Sequence, residues 1–255
     1  RRGIQLMSTI SEKFESEYSP AASQFVEEIG ALDTSGIPEP HLPVWGDEYE
    51  ESELRVGFVG RDTLGYGEMA NFVNATNIDP SAATRRGLEE FQALDYLQWR
   101  TNFGTNFWDT AFRILAGLHG LSDWKDLVDG RNKMPLRRFL WANVNSVELF
   151  ESSPSKNAVD WETWRKVKDA SEKYIDSLQR LLHVFEPHVL YIFNWDPGTA
   201  FLDSELAWDE FADHQAYAFD NNSKAHVFVT AHPSWLNRNG LYQETVDAMV
   251  KRANN

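Results

Sequence analysis

"LRVGFVG", residues 54–60, is the stretch whose reading decides the fold. After Arg55, apolar and small residues run together with no polar alternation, and a glycine closes them, which reads as a buried strand. Three more runs have this character: one around 138–144 inside "LRRFLWANVNSVEL", then "HVLYIFNW" (188–195) and "AHVFVTA" (225–231). Helical patterns lie between and around them. In "TNFWDTAFRILAGLHGL" (105–121), Phe107, Trp108, Ala111, Phe112, Leu115 and Leu118 recur at helical spacing. Residues 158–187 read as one long helical region ended by Pro187, and 241–253 as a closing helix. Residues 8–30 suggest one or two amphipathic helices, interrupted near Ser19-Pro20. A Pro-, Gly- and Glu-rich connector, 33–52, reads as an ordered surface arm or loop, and 68–104 as polar and mixed, without a clear strand. Strands alternating with helices predict an α/β fold: a three-layer αβα sandwich around a mainly parallel, four-stranded sheet. Residues 51–255 would form this domain, with residues 1–50 a helical extension and connector packed on it.

Bulk properties narrow the function. The 255 residues are 42% hydrophobic and 13% aromatic, with ten tryptophans, as expected of a globular chain with a sizeable core. There is no cysteine, which excludes disulfides, thiolate nucleophiles, zinc–thiolate sites and cysteine-ligated iron–sulfur clusters. With no signal-peptide pattern, an intracellular, reducing setting is expected: the cytoplasm, or the nucleus in a eukaryote. No apolar run approaches the roughly 20 residues of a membrane span. A net charge of -15 argues against broad, nonspecific adhesion to nucleic acid or anionic lipid, but leaves room for a local basic face. The basic groups Arg85-Arg86, Arg131/Lys133/Arg137/Arg138 and Arg165/Lys166/Lys168 read first as solvated surface.

In open parallel sheets, ligands collect at the carboxyl ends of the strands. Here the strands are followed by "GRDTLGYGE", "NVNS", "NWDPG" and "HPSWLNRNG". Three of these ends carry groups suited to chemistry: Asp62, Asn143 and His232. A carboxylate, an amide and an imidazole in one cleft can activate water, read a polar edge and stabilise a leaving group. Each has a plainer explanation. Asp62 suits a turn or helix cap, His232 a satisfied turn, and Asn143 a strand terminus, with Asn145 a competing candidate. A dinucleotide site is poorly supported, since "GFVGRDTLGYG" lacks Gly-x-Gly-x-x-Gly at the required spacing.

The order and content of these motifs resemble the uracil-DNA glycosylase superfamily, over roughly residues 54–250. Its first motif, Gly-Gln-Asp-Pro-Tyr or Gly-x-Asn-Pro-Gly, is represented by Gly60-Arg61-Asp62-Thr63-Leu64. "FLWANVNSVEL" is similar to its second strand, with Asn143 in place. His232-Pro233-Ser234-Trp235-Leu236-Asn237 matches its final His-Pro-Ser motif, and "TNFWDTAFRILAGL" the Asn-x-Phe-Trp helix of its mismatch-specific branch. The resemblance implies a glycosylase-like α/β fold and a monomer that acts on DNA without cofactor or metal. A base inside a duplex is unreachable, so the nucleotide is flipped into a pocket before its N-glycosidic bond is cut. Asp62 would then position or activate water and balance the cationic sugar. His232 would hydrogen-bond the base carbonyl as charge builds there, and Asn143 would read the pyrimidine edge. Phe103 would stack on the base, with Trp99 and Phe72 behind it. Leu236 would wedge into the gap, next to Trp235, with Ser234, Arg238 and Asn239 on flanking phosphates.

The departures from the family pattern concern the pocket. Leu64, followed by Gly65, stands where a tyrosine excludes 5-methylated pyrimidines. Arg61 replaces glutamine and Thr63 proline. A pyrimidine with a bulky 5-substituent, such as a hypermodified viral base, becomes an expected substrate unless Tyr66 fills the same space. Two other readings stand beside this one: a glycosylase fold that binds DNA or a partner protein without catalysis, and a small-molecule enzyme such as a nucleoside hydrolase.

Overall fold

The computed structural model describes residues 9–63, 65–93, 105–123, 125–128, 137–153, 159–194, 200–202, 206–212 and 214–253. Within them the helices are α1 (Ile10–Ile29), α2 (Met69–Ile78), α3 (Pro80–Ala93), α4 (Thr105–Leu118), α5 (Lys125–Val128), α6 (Trp161–Tyr174), α7 (Leu178–Phe185), α8 (Pro233–Arg238) and α9 (Tyr242–Ala253). The strands are β1 (Val44–Trp45), β2 (Val56–Gly60), β3 (Phe139–Asn143), β4 (Val189–Ile192), β5 (Asp209–Ala212), β6 (Gln215–Asp220) and β7 (Ala225–Thr230). The molecule is α/β, and among the described residues its mixed sheet has seven strands in the order β1-β3-β2-β4-β7-β6-β5.

The four apolar runs are its contiguous parallel centre. β2 pairs in parallel with β3 and β4, and β4 with β7. Buried on both faces, such strands read as unbroken apolar runs. The expectation of four strands is corrected by three antiparallel ones at the margins. β1 pairs with β3, with Val44 opposite Trp141 and Trp45 opposite Leu140, so the 33–52 connector is no surface arm. Its His41, Leu42, Val44 and Trp45 are all buried. Two residues are too few for a period to be seen. β5 and β6 form an antiparallel ribbon on β7; exposed Asp209 and Glu210 hide the signal of β5, and the mostly buried β6, QAYAFD, mixes small and polar residues and forms no apolar run.

Residues 69–93, read as polar and mixed, are two helices parted at Asp79-Pro80. The Asp79 Oδ1 accepts from the Ser81 and Ala82 N–H groups, capping α3 with proline in its first turn. The long region before Pro187 is also two helices. Ser177 caps the second, and the buried Asp176 accepts from Ser146 N–H at 2.9 Å and Ser171 Oγ at 3.0 Å. α1 runs unbroken through Pro20 behind a Thr9–Glu12 capping box. Its buried Phe14 meets Trp45 at 5.0 Å and Phe185 at 6.0 Å, while Phe25 meets Phe72 at 6.3 Å. α1 thus packs on α2 and α3 from the β2–β3 crossover and on α6 and α7 from the β3–β4 crossover. Tertiary packing holds the helix together where Pro20 removes a backbone donor.

Candidate functional site

The carboxyl ends of β2 and β3 are stitched residue by residue. Gly60 lies opposite Asn143, and the Val144 N–H donates to Gly60 O at 2.9 Å. A Cβ on Gly60 would lie 2.8 Å from the Asn143 amide and 3.3 Å from the Phe107 ring, so glycine is what admits both. Asn143 is 7% exposed. In the amide orientation that satisfies both ends, its oxygen accepts from the Thr63 Oγ1–H at 2.6 Å and the Thr63 N–H at 3.3 Å, and its N–H donates to Ala142 O at 3.1 Å. That leaves one N–H donor for a ligand edge. Asn145 is engaged elsewhere, with its backbone and side-chain N–H groups both donating to Arg61 O at 3.0 Å.

Asp62 follows at once. Its carboxylate side chain is 4% exposed, beside the 42% exposed Arg61. The Arg61 Nε donates to Oδ1 at 3.0 Å and the Leu149 N–H to Oδ2 at 3.1 Å. The acid is therefore anchored by the segment after β3 and presented beside a cation that reaches solvent.

His232 reaches the same neighbourhood from the end of β7. Its Nδ1 accepts from the Ser234 N–H at 3.2 Å, making it the N-cap of α8, with Pro233 in the first turn. Burial pushes its pKa down from the ordinary 6.5, the Arg61 and Arg238 charges push the same way, and Asp62 opposes them. A neutral ring whose Nδ1 accepts carries its proton on Nε2, so the free edge of this histidine is a donor. Asn106 Nδ2, on α4, donates to Ser234 Oγ at 3.1 Å and joins that helix to the turn.

The expected wedge is corrected. Leu236 is 0% exposed, because "PSWLNR" is a helix and not a loop. Three residues apart, Pro233 and Leu236 share the inward face. Trp235 stays partly exposed with its ring edge-on to His214 at 4.7 Å, while Asn237, Arg238 and Asn239 are exposed. The Arg238 Nε donates to Ser234 O at 3.2 Å, and the rest of its guanidinium faces outward.

Phe103, Trp99 and Leu64 lie outside the described residues. Phe72 is a core residue, 3% exposed. Tyr66 does not turn toward Asn143: its ring stands edge-on to His41 at 5.0 Å, and a Cβ on Gly87 would meet its hydroxyl at 2.9 Å. Phe107, assigned from its spacing to the core stripe, instead stands partly exposed beside Gly60 and edge-on to Phe193 at 5.5 Å. Spacing did not mark it, because other neighbouring pairs of α4, Ala111-Phe112 and Ile114-Leu115, are buried together.

Among the described residues, no group of three or more His, Asp or Glu could hold a metal ion, and no helix is long and apolar enough to cross a membrane. No protein-family model matches the chain, and no curated protein gives a significant match.

Proposed function

We propose that the protein is a DNA glycosylase that flips a modified pyrimidine from DNA and hydrolyses its N-glycosidic bond, leaving an abasic site. The observation that carries this reading is the grouping of three strand ends: Asp62 and Asn143 on the paired ends of β2 and β3, and a histidine close enough to feel the Asp62 and Arg61 charges, whose bonded Nδ1 leaves Nε2–H as donor. Cleavage puts oxocarbenium-like charge on the sugar and negative charge on the departing base. Asp62 faces the first, orienting water and balancing the cation, while His232 Nε2–H stabilises the second at a base carbonyl. The remaining N–H of Asn143 suits a carbonyl on a pyrimidine's pairing edge. Phe107 offers a flat surface, and base–aromatic stacking is worth about 1–3 kcal/mol. Arg61, Arg238 and Asn239 supply exposed phosphate partners despite the overall charge of -15.

The direction of Tyr66 supports a site open to a 5-substituent, with Gly65, which carries no side chain, beside it in the chain. Such an enzyme serves base-excision repair or defence against DNA with hypermodified bases. Both Asp62 oxygens already accept hydrogen bonds, and this favours a second reading, a DNA-binding module without catalysis. Oligonucleotides carrying uracil, thymine, 5-hydroxymethylcytosine or its glucosylated form, scored for alkali-labile abasic sites, separate the two. Cleavage abolished by Asp62→Ala and His232→Ala is expected. DNA binding without cleavage of any substrate establishes the binding module, and cleavage of uracil alone removes the 5-substituent from the proposal.

A further inference from the structure

The loop that bears Asp62 is gripped by an acid that lies at no strand end. Glu148, between Val147 and Leu149, is 1% exposed. One of its carboxylate oxygens accepts from the Gly65 N–H at 2.7 Å, and the other from the Ser153 hydroxyl. Its backbone carbonyl accepts from the buried Trp164 Nε1–H at 3.0 Å, which ties it to α6. The next N–H, of Leu149, is the one that holds Asp62 Oδ2 at 3.1 Å. Residues 148 and 149 therefore hold the 61–67 loop at two points, Asp62 and Gly65.

The loop needs such a hold. Gly65 and Gly67 sit at φ +64° and +57°, conformations that glycine enters freely and leaves as freely. Beyond its two chain neighbours, no described atom lies within 4 Å of where a Gly65 Cβ would stand, so packing from other segments does not fix that point. A carboxylate is also a costly filler for a buried position, where an apolar residue would serve packing alone. We propose that Glu148 is a positioning residue that sets Asp62 against the reacting sugar by holding the Gly65 N–H. The proposal rests on the glycosylase reading, and its test is arranged so that the two fail separately.

Glu148→Gln keeps both contacts, its carbonyl accepting from Gly65 and its amide donating to Ser153 Oγ, whereas Glu148→Ala removes both. The clamp itself is read without substrate, by hydrogen exchange at the Gly65 amide in glycine-labelled protein. Protection is lost in Glu148→Ala and kept in Glu148→Gln. On a cleaved oligonucleotide, kcat falls about 100-fold in Glu148→Ala with KM nearly unchanged, as expected when a reacting group is misplaced, and Glu148→Gln restores it. Val167→Ala, a buried truncation on α6 chosen for comparable loss of melting temperature, keeps its kcat. Unchanged Gly65 exchange in Glu148→Ala overturns the proposal, as does an equal kcat loss in Val167→Ala or an inactive Glu148→Gln. If the wild-type protein cleaves no base, the glycosylase reading fails, and the exchange result alone keeps or overturns the clamp.

Discussion

Gly60 is the residue at which the site is least forgiving. A methyl group there meets the Asn143 amide at 2.8 Å and the Phe107 ring at 3.3 Å, and the amide, bonded to Thr63 and Ala142, cannot yield without disturbing the strand ends. Gly60→Ala is expected to cost about 1–3 kcal/mol of stability, as overpacking usually does, and to lower cleavage more than a surface control does. Chemical denaturation and single-turnover cleavage read the two effects. At His232 the expectation concerns pH. Its pKa is held below the ordinary 6.5, so the neutral donor persists above that pH, and the rate falls as pH drops through the lowered value. A rate profile whose acid limb lies above pH 6.5 contradicts the assignment, as does a limb unmoved in His232→Gln.

Among the elements, α8 changed its meaning most. A wedge residue would be lost from DNA binding and leave stability untouched. The buried Leu236 predicts the reverse: Leu236→Ala costs about 2–5 kcal/mol of stability. Differential melting beside oligonucleotide affinity at a permissive temperature distinguishes them. α1 is likewise more than an appendage, since Phe14 joins it to Trp45 on the edge strand and to Phe185 on α7. Phe14→Ala is expected to cost about 3–5 kcal/mol, measured by urea unfolding, which an accessory arm would not show. The four core strands were legible because burial on both faces writes a continuous apolar run. β1, β5 and β6 were not, since the two residues of β1 carry no period, the acidic β5 resembles loop, and the small and polar residues of β6 form no apolar run. That Asp62, Asn143 and His232 stand at or just after strand ends was legible from the apolar runs that precede them. Phe107 was not, because spacing gives a helix face without saying which neighbour ends it.

At the scale of the whole molecule, the covered edge leaves a mark in pH dependence. His41 is buried under β1's neighbours, with its ring 4.2 Å from Trp141 and its Nδ1 unpartnered among the described residues. Burial holds its pKa near 4, against 6.5 ordinarily. As pH falls below 6.5 the unfolded chain takes up this proton first, so the stability present above 6.5 drains away until about pH 4, by about 3 kcal/mol. His41→Phe should therefore lose less stability than the wild type between pH 7 and pH 4.5 in paired urea titrations. Equal losses contradict the prediction.

By itself, the sequence determined the α/β class, the four central strands and the identity of the groups at their ends, because local periodicity and turn chemistry are properties of short segments. Only the tertiary structure decided where those groups point. Whether Leu236 faces DNA or core, whether Asn145 reads a ligand or braces Arg61, and which acid holds Asp62's loop all depend on contacts between segments far apart in the chain. Such contacts follow from burial and hydrogen-bond satisfaction in three dimensions, and no spacing along the chain records them.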